Sequence, residues 1–236
     1  MRIGGFQKNS MIDFPGLISS VIFTTGCNFV CPYCHNPDLV GKVRPGGGGG
    51  SIDQGEIFSF LKKRRGLIDG VVITGGEPTL QPDLEQFMVE VKELGFSVKL
   101  DTNGTRPETV KTLIEKEVVD YIAMDIKTSL ESYHLVAGDG FTPQTVAASI
   151  AIIMEQAPDY EFRTTCVRPL IDQQKMEKIG AMIKGARRYF LQPCSRNVTM
   201  LNSLFFEQGD RFFSRDEMLA LKTRVKPWVN ECRIRS

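Results

Sequence analysis

Short apolar runs rich in β-branched residues recur along the chain, and most are followed by a stretch whose apolar residues fall at helical spacing. The runs are SVIFTTG (20–26), GVVITGG (70–76), FSVKLDTNG (96–104), DYIAMDIK (120–127), YEFRTTC (160–166) and RRYFLQPC (187–194). Within 82–95, Leu84, Phe87, Met88, Val91 and Leu94 trace one helix face, and Gly95 supplies a stop. Further helical patterns cover 107–117, about 143–157, 172–185 and about 214–224. Ser51-Ile52-Asp53-Gln54 reads as a capping box that opens another helix at about 52–65.

Six strands alternating with helices argue for an α/β fold built on a parallel sheet, doubly wound or barrel-like. Polar and glycine-rich residues gather behind the strands: Cys27, Gly75-Gly76-Glu77, Asp101-Thr102-Asn103, Asp125 with Lys127, and Gln192. In a barrel of parallel strands these ends share one face, where active sites form. Six strands fall short of the eight of a closed barrel. The expected form is a partial (β/α)6 barrel, open on one side and able to admit a large substrate.

Bulk properties narrow the setting. A chain of 236 residues can form one large domain, and a domain of this size buries roughly 70–75% of its unfolded surface without disulfide staples. We read 1–236 as a single domain, with 1–18 as an N-terminal extension and 41–51 as a flexible glycine-rich loop. The five glycines from Gly46 to Gly50 read as a linker or as an engineered replacement of a natural loop, and no lysine follows them as a phosphate-binding loop requires. A net charge of +1 offers no field for nucleic acid or an anionic membrane. No run approaches the about 18 apolar residues of a membrane span, and MRIGGFQKNSMIDFPG carries no apolar secretory core. The expected location is the cytoplasm, where thiols stay reduced and clustered cysteines read as metal ligands or catalytic groups.

Three of the six cysteines fall within GCNFVCPYCHNP: Cys27, Cys31 and Cys34, spaced C-x3-C-x2-C. An iron–sulfur cube needs an outside ligand for each of four irons. Three thiolates hold three of them and leave the fourth open to chelate a small molecule, as catalytic metal sites keep an open position. The competing reading is zinc on Cys27, Cys31, Cys34 and His35, although adjacent residues such as Cys34 and His35 rarely converge on one tetrahedral ion. Cys166, Cys194 and Cys232 lack close spacing, so a single cluster is expected.

C-x3-C-x2-C behind a first strand, with aromatic Tyr33 before the third cysteine and Gly75-Gly76-Glu77-Pro78 behind the second, resembles the radical S-adenosylmethionine superfamily. FQKNSMIDFPG, GCNFVCPYCHNP, GGEPTLQPDL, DTNG and AMDIK together resemble the activating proteins of anaerobic ribonucleoside-triphosphate reductases and of pyruvate formate-lyase. These pieces span most of 4–127, and the last hundred residues match less distinctly. The resemblance implies a [4Fe–4S] cluster on the three cysteines, with S-adenosylmethionine on the fourth iron. It also implies reductive cleavage to methionine and a 5′-deoxyadenosyl radical, which takes a hydrogen from a glycine Cα of a partner. That partner is expected to be a glycyl-radical enzyme, foremost an anaerobic ribonucleotide reductase, with flavodoxin or ferredoxin as electron donor.

The same resemblance suggests further roles. Gly75 and Gly76 would bring bare backbone to the methionyl part of the cofactor, make a tight strand-to-helix turn, or do both, and Glu77 would pair with the cofactor's ammonium. Asn103, Asp125 and Lys127 would bind ribose or carboxylate groups. Arg163 is either an ion-pair partner or a carboxylate clamp. Asp101 with Thr102 is either a monovalent-cation position, as in related activases, or a strand-end cap. His35 is expected to order its loop, and His134 to lie on a surface helix. Two other functions compete: a radical enzyme acting on a small molecule, resembling 7-carboxy-7-deazaguanine synthase, and a non-catalytic zinc-binding interaction module. Ile12-Asp13-Phe14-Pro15-Gly16 and Cys34-His35-Asn36-Pro37 favour the activase.

Overall fold

The computed structural model describes residues 1–41, 52–137, 141–196, 198–207 and 209–235. Eight strands form one sheet in chain order: β1 (Ile3–Ser10), β2 (Ser19–Thr24), β3 (Gly70–Gly75), β4 (Ser97–Thr102), β5 (Tyr121–Asp125), β6 (Tyr160–Cys166), β7 (Arg188–Pro193) and β8 (Glu231–Ile234). Strands β2 to β8 pair in parallel, and β1 runs antiparallel to β2. The sheet stays open, with β1 and β8 as its two edges. The helices are α1 (Pro37–Val40), α2 (Gln54–Lys63), α3 (Leu84–Glu93), α4 (Pro107–Glu115), α5 (Pro143–Gln156), α6 (Gln173–Met182), α7 (Ser203–Glu207) and α8 (Arg215–Val225).

The six expected strands are all present, and two more extend the sheet. β1 lies inside the stretch expected to be an extension; its Gly4 and Gly5 and its exposed polar residues hide the strand pattern. β8 has only four residues and draws its stability from pairing with β7. Helix α2 begins later than expected. Its cap is Asp53, whose Oδ1 accepts from the Glu56 N–H at 3.2 Å. Ser51 and Gly46 to Gly50 lie outside the described residues. A capping box between Ser214 and Glu217 opens α8. His134 sits on a 3-10 turn, Leu130–Leu135, not on an α-helix.

Alternation along the strands sorts side chains between two faces. Ile22, Val71, Ile73, Val98, Leu100, Ile122, Met124 and Phe162 join the main core with Leu84, Phe87, Met88, Val91 and other buried helix residues. The opposite face holds a small cluster of Val21, Val72, Tyr121 and Ala123, closed by Phe14 from the N-terminal turn. Phe14 is buried, and its ring lies 6.0 Å from that of Tyr121. Further along this face Lys99, Asp101, Asp125 and Arg163 replace the apolar residues. The parity that buries Ala123 therefore also aims Asp125 inward, with Arg163 as its register neighbour on β6.

Candidate active site

After β2, Gly26 (φ +93°) turns the chain into the three-cysteine loop. Backbone hydrogen bonds fasten this loop at several points. The Gly26 N–H donates to the Leu39 carbonyl at 2.7 Å, Val30 N–H to Val136 at 2.9 Å, and Glu77 N–H to Gly26 at 2.8 Å. Buried Phe29 seats the loop against the rings of Tyr133 and Phe141, at 5.9 and 5.3 Å. The Cys34 N–H donates to the Cys31 carbonyl at 3.0 Å, closing a turn around Pro32. From the far end of the chain, Leu201 N–H donates to Cys34 and Asn202 N–H to Pro32, at 3.2 and 3.1 Å.

One cavity of about 210 Å³ lies at the C-terminal ends of the strands. Cys27, Cys31, Tyr33, Cys34, Gly75, Gly76, Glu77, Asn103, Asp125 and Lys127 all line it, as does Asp101. Arg163 does not line it and stands behind Asp125, to which its Nε donates at 2.8 Å. Asn36, Thr74 and Thr165 also line the cavity and were not singled out in the sequence. For Thr165 a signal existed, because it shares strand parity with Arg163. Asn28 was missed as well. Its side chain donates to Thr105 Oγ1 at 2.8 Å and accepts from Asn103 Nδ2 at 2.9 Å, tying the cysteine loop to the turn after β4.

Glu77 carries a structural role beside the one expected of it. It is 1% exposed, and its carboxylate accepts from Thr79 N–H (3.1 Å), Thr79 Oγ1 (2.5 Å), Thr102 Oγ1 (2.8 Å) and Asn103 N–H (2.7 Å). Three of these donors meet Oε1 and one meets Oε2, so Glu77 clamps the ends of β3 and β4 together while it lines the cavity. Burial pushes its carboxyl up from the ordinary value, while these donors pull it down. Glu77→Ala is expected to lower stability by about 2–3 kcal/mol or more, because several buried donors lose their acceptor at roughly 1–3 kcal/mol each. Thermal unfolding of the cluster-free protein checks this, and an unchanged midpoint would contradict the clamp.

The two glycines line the cavity and also make a tight turn. A Cβ on Gly75 (φ +120°) would strike the backbone of Thr24, and one on Gly76 would strike the Gly26 carbonyl. Their bare backbones therefore let the turn after β3 press against the start of the cysteine loop. The tight-turn reading accounts for this direction of approach.

Electrostatics complete the picture. Burial pushes the Cys27 thiol up to about 12 and that of Cys31 up to about 11, so neither ionises readily without a metal. The Asp125 carboxyl is held well below its ordinary value, against burial, by Arg163 and Lys127. Burial opposes the charge of Lys127, but Asp125 and Cys31 raise its value overall. His35 is lowered, first by burial and then by Lys127. Its Nε2 lies 3.9 Å from Cys194 Sγ, so the fold brings one of the three scattered cysteines beside the loop.

The donor set suits a cluster. Three thiols line one cavity, yet among the described residues no three His, Cys, Asp or Glu side chains converge as a single ion's ligands do. The Tyr33 hydroxyl is buried beside Cys31 and meets no oxygen or nitrogen partner among the described residues. A monovalent cation at Asp101 fits less well, because Lys99 and Arg163 already pair with that carboxylate.

Fold and cavity together place three thiols at the C-terminal mouth of an open, barrel-like sheet. Residues 21–184 match the model of the Radical SAM superfamily, and the chain belongs to it. Enzymes of this superfamily use S-adenosylmethionine and a [4Fe–4S] cluster. A protein of Methanocaldococcus jannaschii assigned as a glycyl-radical enzyme activating enzyme is 34% identical over 198 residues, 80% of this chain and 78% of that protein. The pyruvate formate-lyase-activating enzyme of Clostridium pasteurianum is 30% identical over 148 residues, 59% of this chain and 58% of that enzyme. Among solved structures, Streptococcus suis SuiB bound to S-adenosylmethionine shares the fold, with a TM-score of 0.67 at 14% identity over 92% of this chain and 50% of SuiB. Among the described residues no helix is long and apolar enough to cross a membrane.

Proposed function

We propose that this chain is an activase that installs a glycyl radical on a partner enzyme, an anaerobic ribonucleoside-triphosphate reductase being the partner of choice. The observation that supports it most is the shared cavity: three loop thiols face the turn after β3, Asn103, Asp125 and Lys127. Similarity to a protein assigned as a glycyl-radical activating enzyme supports the same reading. We read 1–236 as one radical S-adenosylmethionine domain, working in the cytoplasm with flavodoxin or ferredoxin as reductant.

Cys27, Cys31 and Cys34 would hold the cluster as thiolates. When bound, the reduced cluster supplies the electron that cleaves S-adenosylmethionine, so that a hydrogen atom can be taken from the partner's glycine. The chain's own residues bind and orient. Lys127, held at 3.0 Å by Asp125, presents an ammonium to the cofactor's carboxylate. Asn103 fixes the turn after β4, and its Oδ1 accepts from Thr105 N–H at 3.1 Å. Gly75 and Gly76 line the cavity with backbone, which lets the cofactor approach without a side chain between. The open side of the sheet gives an extended glycine-bearing loop a way in.

The test is anaerobic incubation of reconstituted, reduced protein with S-adenosylmethionine and the host's anaerobic ribonucleotide reductase. A glycyl-type doublet should appear in the electron paramagnetic resonance spectrum, with 5′-deoxyadenosine accumulating beside it. The reductase carrying Ala at its radical glycine should give no doublet. No doublet with any glycyl-radical enzyme, together with turnover of a purine-like metabolite, would overturn the activase in favour of a small-molecule enzyme. A doublet on a different glycyl-radical enzyme would replace only the partner.

A further inference from the structure

Five charged side chains from three neighbouring strand ends form a ladder of alternating sign: Lys99, Asp101, Arg163, Asp125 and Lys127. Both oxygens of each carboxylate are divided between two cations. Asp101 Oδ1 pairs with Lys99, and its Oδ2 receives Arg163 Nη1 at 3.3 Å. Asp125 Oδ1 receives Arg163 Nε at 2.8 Å, and its Oδ2 receives Lys127 Nζ at 3.0 Å. The Arg163 and Asp101 side chains are only 12% and 15% exposed, so water does little to screen these pairs.

Three cations face two anions, so the ladder already carries one surplus positive charge. A further cation would find each carboxylate oxygen already engaged by an ammonium or guanidinium and would add like charge beside Lys99, Arg163 and Lys127 in a largely buried site, which is disfavoured. We propose that Arg163 is a built-in cation bridging Asp101 and Asp125, in place of a monovalent metal ion. It makes the site indifferent to potassium and sodium. It also acts as a positioning residue: with Asp125 shared between Arg163 and Lys127, the surplus charge is placed on Lys127, at the cavity wall. Arginine suits this place because its fork offers separate N–H groups to two carboxylates, where an ammonium is a single point charge.

The ion indifference rests on the ion pairs alone; the offer of Lys127 to a ligand carboxylate rests on the function proposed above. Two readouts keep these apart: the thermal midpoint, and S-adenosylmethionine affinity of the reconstituted protein. Both are measured in potassium, sodium and tetramethylammonium chloride at equal ionic strength. The wild-type protein should give the same midpoint and the same affinity, within about twofold, in all three salts. Arg163→Met exposes the two carboxylates to each other. Its affinity should fall about tenfold or more in tetramethylammonium, with potassium or sodium restoring part of the loss and raising its midpoint. Arg163→Lys keeps a charge there and should stay salt-indifferent. A wild-type protein whose affinity or midpoint depends on potassium or sodium overturns the proposal. So does a folded Arg163→Met protein that ignores the ions. If that variant does not fold, the wild-type salt series decides. Failure of S-adenosylmethionine to bind in any salt would sink the functional reading, while the midpoints still judge the ladder.

Discussion

Replacing any one of Cys27, Cys31 and Cys34 by Ala is expected to abolish both iron loading and S-adenosylmethionine cleavage. The argument is geometric. The three thiols reach one cavity from a loop whose backbone is fastened to Leu39, Glu77 and Val136. A replacement thiolate cannot slide into place on so constrained a loop. Burial disfavours free thiolates at Cys27 and Cys31, so metal binding and deprotonation are coupled there. The loss should exceed the roughly 10–100-fold effects that outer partners of metal ligands carry. Cys166, fully buried in the main core, and Cys232, largely buried beside it, should tolerate Ala with the iron retained. Cys194→Ala is the more searching control, because Cys194 lies beside His35. Iron and sulfide analysis after anaerobic reconstitution reads all six variants. Loss of the cluster in Cys194→Ala would mean a fourth thiolate and no open iron.

The second large effect is expected at Gly76. From the sequence, a branched side chain there would be expected to hinder the cofactor while sparing the cluster. The structure changes this expectation. A Cβ on Gly76 would collide with the Gly26 carbonyl and come within 3.0 Å of the Leu39 carbonyl oxygen. Those atoms are backbone, and both belong to the frame of the cysteine loop, so they cannot swing away as a flexible side chain can. Gly76→Val should therefore displace the loop, lower stability by about 1–3 kcal/mol or more through overpacking, and reduce cluster loading along with cofactor binding. Gly41→Ala is the matched control, since among the described residues nothing lies within 4 Å of the added methyl. Thermal unfolding and iron content read both effects. A Gly76→Val protein with full iron and wild-type stability would show that the two turns do not bear on each other.

Much of this molecule was determined by local pattern. Apolar runs such as 70–76 and 120–127, each followed by a helical stretch, specify parallel strands and crossovers because the side-chain period is set within a few residues. The spacing of Cys27, Cys31 and Cys34 is likewise a covalent fact, and Gly75-Gly76-Glu77 falls at a strand end wherever the strand is placed. What tertiary structure decided lies in contacts between residues far apart in the chain. β1 and β8 become strands only because β2 and β7 offer them unpaired edges. Glu77 is a clamp between strand ends because Thr102 and Asn103, 25 and 26 residues onward, arrive with donors. Arg163 lies 62 residues from Asp101 and 38 from Asp125 along the chain, yet one guanidinium reaches both. A residue's type shows what it can bind. Only the folded sheet, by setting which strand ends are neighbours and which way each side chain faces, determines what it does bind.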